Sequence, residues 1–153
     1  MIDALTLQAG GAGNQWLGGS DEGGLRVTAG TAGALTGTYE YVFTFATVTT
    51  GTGTVIGECL PGAPWGVTLS AQRAALTAIP VSASPACNCR RIYRTVAGGS
   101  QLKHVADILD NTTTTYSDNL PDGSLGANVP TVDTSDQSIY SSQNYLWRAF
   151  WGV

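Results

Sequence analysis

The residues able to do chemistry in this chain are few: one histidine, three cysteines, a cluster of arginines and a series of aspartates. Cys59, Cys87, Cys89 and His104 are the residue types of a zinc site, which needs its ligand atoms about 2.0–2.3 Å from the metal. If Gly98-Gly99 closes a hairpin between residues 90–96 and 102–108, His104 pairs near Tyr93. Cys89 then lies about four residues further along, roughly 13 Å away at ~3.3 Å per residue, too far to share an ion. A disulfide from Cys59 to Cys87 or Cys89 would leave an odd thiol; three free buried thiols are the simpler expectation. Nucleophilic catalysis lacks its parts, because the chain has no G-x-S-x-G elbow and no Ser or Cys set beside His104 by a strand register. Asp107, Asp110, Asp118 and Asp122 could form a carboxylate pair or a calcium site, but they fall at strand ends and turns, where Asp bonds the backbone. Asn111-Thr112-Thr113 is a glycosylation sequon that reads more simply as a turn. Arg90, Arg91 and Arg94 form the local basic group, expected to lie on an exposed strand face as solubilising charge. The reading is therefore no catalytic residue, no cofactor and no metal.

The elements that would position these groups are strands. Thr38–Val48 places Tyr39, Tyr41, Phe43 and Phe45 on one face and Glu40, Val42 and Thr44 on the other, a period of two that marks a strand against a core. Short strands are also expected over Leu25–Gly30, ahead of a Gly-rich turn, and over Gly53–Cys59. Val67–Leu69 and Ala74–Ile79 should form two more, either side of Ala71-Gln72-Arg73. From Cys89 to Asp118, runs at Arg90–Thr95, Leu102–Leu109 and Thr112–Tyr116 are punctuated by Gly98-Gly99 and Asp110-Asn111, the pattern of an antiparallel meander. About seven short strands at ~10-residue spacing suit an antiparallel sandwich of immunoglobulin or fibronectin type. The class is all-β: one such sandwich over residues 24–130, with arms at 1–23 and 131–153.

Composition agrees. Only 12% of the 153 residues are charged, against roughly 25% in ordinary globular chains, and Gly reaches 20. A net charge of −4 argues against nonspecific nucleic-acid binding, which needs basic clusters. No run approaches the ~20 apolar residues of a membrane helix. The N-terminal MIDALTLQAGGAG lacks the basic start and apolar centre of a secretory signal. In the first arm, Leu5 and Leu7 alternate with Thr6 and Gln8 as in a short strand, and Trp16 stands among glycines, either folded back or inserted into a neighbour. The second arm ends in IYSSQNYLWRAFWGV. Thr134 with Gln137 fits a capping box and Tyr140, Trp147 and Trp151 share a helical face, yet Tyr145, Trp147, Ala149 and Trp151 also alternate as in a strand. That much aromatic surface invites association, so Trp16, Tyr140, Tyr145, Trp147, Phe150 and Trp151 are expected to dock on a partner.

Taken together, LTGTYEYVFTFAT, GTVIGEC, LTAIPVS, RRIYRT, GGSQLKHVADILDNTTTTYSDN, PDGSLG and NVP resemble the fibronectin type III or Ig-like module of tailed-bacteriophage structural proteins, from Leu35 to Pro130. The resemblance implies a non-enzymatic β-sandwich in the virion, assembled in the bacterial cytoplasm. Small size, a single module and the aromatic tail suit a capsid decoration (cement) protein that binds the major capsid protein through its arms. It would act as a homo-oligomer, a trimer suiting local threefold axes. A tail, neck, baseplate or fibre component is the nearest alternative, and a carbohydrate-binding adhesion module using Trp16, Trp65 or tail aromatics the alternative from another class.

Overall fold

The structure, a computed structural model, describes residues 24–135. Both terminal segments, and with them the expected Leu5–Gln8 strand and the helix-or-strand question in the tail, lie outside the described residues. Within them the chain is all-β and makes a curled antiparallel sheet. Its strands are β1 (Arg26–Val48), β2 (Val55–Glu58), β3 (Trp65–Thr77), β4 (Cys89–Arg94), β5 (Lys103–Ile108) and β6 (Tyr116–Asp118), followed by a 3-10 turn at Asp122–Ser124. Their order is β5-β4-β1-β3-β6, with β2 also paired to β1.

β1 is the spine. The Gly-rich stretch expected to turn the chain between two strands instead continues as one bulged strand of 23 residues. Its register with β3 shifts between Ala29 and Ala32, between Ala32 and Leu35, and between Leu35 and Gly37. β3 merges its two expected strands in the same way, across Ala71, whose positive φ of 54° marks an irregularity. Both strands thus bend at one level, since Gln72 faces Ala32 and Leu35, and extra residues in a ladder bend it and increase its twist. Glycine chemistry that would make a turn in isolation makes a bulge when a partner strand holds both sides.

The bend lets β1 face two environments. In its first half Val27, Leu35, Tyr39 and Tyr41 supply the core, together with Leu25 just before the strand, packed against Leu69, Ala74, Leu76, Ile79, Ile92 and Ile108. From Tyr41 to Val48 both faces are mostly buried: Phe45 packs with Cys59 and Cys87 on one side, Ala46 and Val48 with Cys89 on the other. The aromatic alternation over Thr38–Val48 anticipated the burial of Tyr39, Tyr41 and Phe45; the burial of Val42 and Thr44 was not in it.

The expected meander holds for its first hairpin alone. β4 pairs β5, with Tyr93 opposite His104 as the glycine pair implies. β6 does not continue beside β5; it crosses to the far side of the sheet and pairs β3 at Ala74–Leu76. A different segment takes the place beside β5: Gly126 N–H donates to His104 O, His104 N–H to Ala127 O, and Val129 N–H to Leu102 O. The chain then reaches β2, where Thr134 N–H donates to Glu58 O and Glu58 N–H to Thr134 Oγ1. Gly57 makes that crossing tight, because a Cβ there would sit 2.6 Å from Thr134 O.

Candidate functional site

The arginines of β4 gather most of the chemistry-bearing residues around them. The solubilising-face reading of its arginines is overturned: Arg90 and Arg94 are fully buried, and Arg91 keeps 18% of its side chain exposed. Alternation on a strand sends Arg90, Ile92 and Arg94 to one face and Arg91 and Tyr93 to the other. Each guanidinium finds carboxylates from distant parts of the chain, and those carboxylates are the four aspartates considered for calcium, joined by Glu58.

Arg94 is the innermost. Its Nε donates to Asp118 Oδ2 at 2.8 Å, with both side chains fully buried. Nη1 reaches Asp122 Oδ1 and Thr95 O, and Nη2 reaches Leu120 O. Tyr41 O–H donates to the same Asp118 oxygen at 2.7 Å, and Leu120 N–H donates to its partner oxygen. Burial, with the Asp118 charge and hydrogen bond behind it, raises the Tyr41 hydroxyl far above its ordinary range. Burial works against the Asp122 carboxylate, but the Ala97 amide and Arg94 outweigh it and hold the group below the usual range. The Arg94 guanidinium also stacks over Tyr39, 4.8 Å from the ring centre. One arginine therefore ties β4 to β1, to β6 and to the 3-10 turn.

On the opposite face, Glu58 is 5% exposed and accepts from Thr44 Oγ1 (2.5 Å), Tyr93 O–H (2.6 Å) and Arg91 Nη1 (2.8 Å). Arg91 Nε continues to Asp107 Oδ1 at 2.8 Å, and His104 Nε2 reaches that oxygen at 2.6 Å. Burial opposes ionisation of Asp107, yet the bonds from His104 and Arg91 prevail and lower its pKa. Burial raises the Tyr93 hydroxyl, and Glu58 raises it further. Arg90 forms the third clamp, to Asp110 Oδ1, Pro80 O and Thr113 O. Asp110 in turn caps Thr112 and Thr113 through their amides and the Thr113 hydroxyl, and these bonds lower its pKa. The Asn111 amide of the sequon is committed as well: its Oδ1 accepts from Ser82 N–H and its Nδ2 donates to Ser82 O, each at 2.8 Å.

The cysteines are three buried free thiols. Burial pushes Cys59 and Cys89 up to about 12, and raises Cys87 too. Thiolate is the reactive form, so these groups are chemically quiet in the fold. Among the described residues no group of three or more His, Cys, Asp or Glu side chains could hold a metal ion. An open depression of about 360 Å³ lies between the Thr49–Gly53 turn, Asn88 and Leu109, but the Asn88 amide there is engaged with both main-chain groups of Val48.

Of the sequence-derived docking residues, Trp16, Tyr140, Tyr145, Trp147, Phe150 and Trp151 all lie outside the described residues. Trp65 is described: it is 36% exposed, and its indole N–H donates to Val27 O at 3.0 Å. The parts that Glu58, Tyr41 and Tyr93 play in these clamps escaped the sequence reading, and no local signal marks them, because their partners stand far away in the chain. No family model, no curated protein and no solved structure matches this chain.

Proposed function

We propose that the chain is a non-enzymatic structural protein of a tailed-bacteriophage virion, a capsid decoration protein that binds the shell through its terminal arms and stabilises the assembled particle. The observation behind it is the fate of the β4 arginines: all three are spent on internal clamps with Glu58, Asp107, Asp110, Asp118 and Asp122, as befits a rigid carrier. In this reading the module is an Ig or fibronectin III-like sandwich, the bends in β1 and β3 dividing the curled sheet into two facing layers. The Trp65–Val27 and Tyr41–Asp118 contacts, each joining opposite ends of the bent strands, support that closure. Binding then falls to Trp16 and the tail aromatics, whose burial at ~25 cal/mol per Å² would favour the bound state by mass action.

The test is a cut after Ser135, which spares the Thr134–Glu58 contact. The full chain should co-sediment with virions and appear over the head in a particle reconstruction, and the truncated chain should stay in the supernatant. Normal decoration by the truncated chain would defeat the docking role of the tail. Density confined to the tail or neck would favour the accessory reading, and tryptophan quenching by host polysaccharide the adhesion reading.

A further inference from the structure

The edges of this sheet are not treated alike. β5 is covered by the 126–129 segment, β2 is met by Thr134, and β6 is only three residues long. The outer side of the first half of β1 is bulged, and its Val27 carbonyl is capped by the Trp65 indole. Short length, bulges and covering segments are the ordinary guards of sheet edges. Among the described residues the first half of β3 has none of them. Trp65–Ser70 pairs β1 on one side, and β6 joins β3 only from Ala74 onward. On the other side no main-chain group of this stretch has a hydrogen-bond partner among the described residues, apart from the Ser70 amide, which reaches Gln72 Oε1.

That edge, WGVTLS, carries no charge and no proline, and Trp65, Gly66, Thr68 and Ser70 are exposed. Pro64 stands before it and the positive-φ Ala71 after it, so the open window is six residues long. Trp65, Val67 and Leu69 share its core-facing side, Leu69 buried and Val67 packed on the core. We infer that this window is a self-association site, where a second copy of the chain adds its own Trp65–Ser70 strand antiparallel across a twofold axis.

Two observations select a second copy as the occupant. First, the chain carries a net charge of −4, so two copies repel except where a contact is free of charge, and this window is. Second, the window is complementary to itself. Opposed residues in an antiparallel pair point to one face, so the register must set apolar against apolar. Centring the axis on Val67 does so, placing Val67 opposite Val67 and Trp65 opposite Leu69 of the other copy. A shift by one residue would set Trp65, Val67 and Leu69 against the polar face. Because the contact is isologous, each copy uses up its open edge and the assembly closes as a dimer. None of this depends on the virion assignment.

Sedimentation of the full chain across a concentration series tests it. A monomer–dimer equilibrium is expected, and the double variant Thr68→Lys, Ser70→Lys, altered at exposed positions, should weaken it by at least about ten-fold, since charge blocks edge pairing. Hydrogen exchange on the unaltered chain supplies a readout free of folding effects: the Gly66 and Thr68 amides, on the side of β3 turned away from β1, should be protected at high concentration and lose protection on dilution. A monomer at every concentration overturns the inference, as does a dimer unmoved by the lysines. Protection that survives dilution and vanishes on removing residues 1–23 would assign the edge to the chain's own arm and overturn it equally.

Discussion

The two faces of β4 handle the same problem, a guanidinium inside a sheet, in different ways. On the inner face, Arg94 and Asp118 are both wholly removed from water, and main-chain carbonyls from Thr95 and Leu120 complete the arginine's donors. On the outer face, Arg91, Glu58 and Asp107 form a chain whose side-chain exposure rises from 7% at Glu58 to 27% at Asp107, ending at His104. The difference teaches where stability is concentrated. A fully buried pair contributes little net energy when intact but is costly to break, because the orphaned partner stays buried. A graded network can rehydrate from its open end.

The sharpest way to break the comparison is Arg94→Ala. It strands Asp118 and should cost about 3–5 kcal/mol, enough to remove most of a small domain's stability; a urea melt reads it, and a loss no larger than that of Arg91→Ala would erase the distinction. Acid comes next. Asp122 on the inner clamp and Asp107 on the outer both have depressed pKa values in the fold. The stability they contribute is present above the unfolded value of about 3.9 and is lost as pH falls through the folded values. Melting temperature should therefore hold from pH 7 to pH 5 and drop below pH 4, and a flat profile down to pH 2 would contradict the assignment.

How much of this could be read beforehand follows from sequence distance. The Tyr39–Phe45 alternation and the Tyr93–His104 register depend on neighbours and one tight turn, and both were legible. The Gly30–Gly37 bulge was not, since the choice between turn and bulge rests with β3, dozens of residues away. The arginines misled for the same reason: β-strand alternation says Arg90 and Arg94 share a face, but only the return of Asp110 and Asp118 makes that face habitable for a charge. β6 was misplaced because adjacency in the chain favoured β5, whereas the 126–129 segment takes that edge. The candidate docking residues rest on composition, which names the aromatics without saying what they touch.

Smaller effects sharpen the outer network. Glu58→Gln keeps the size of the side chain and weakens the bonds from Arg91 and Tyr93; it should cost about 1–3 kcal/mol in the same melt, and a cost equal to that of Arg94→Ala would place both faces in one class. Thr134→Val should cost about 0.5–1.5 kcal/mol and speed exchange of the Glu58 amide, while leaving the inner clamp untouched. Unchanged exchange would mean that the segment after Pro130 does not hold β2.

Internalising the β4 arginines also changes what a protease encounters. Trypsin must thread an extended segment with an accessible cationic side chain through its cleft, and the bonds after Arg90, Arg91 and Arg94 lie inside a paired strand. Among the described residues that leaves Arg26 and Arg73 exposed and Lys103 half-buried, each also within a paired strand. Among the described residues the fold has set the three cationic recognition marks of β4 where cutting requires prior unfolding, a form of durability that suits a protein meant to persist among digestive enzymes.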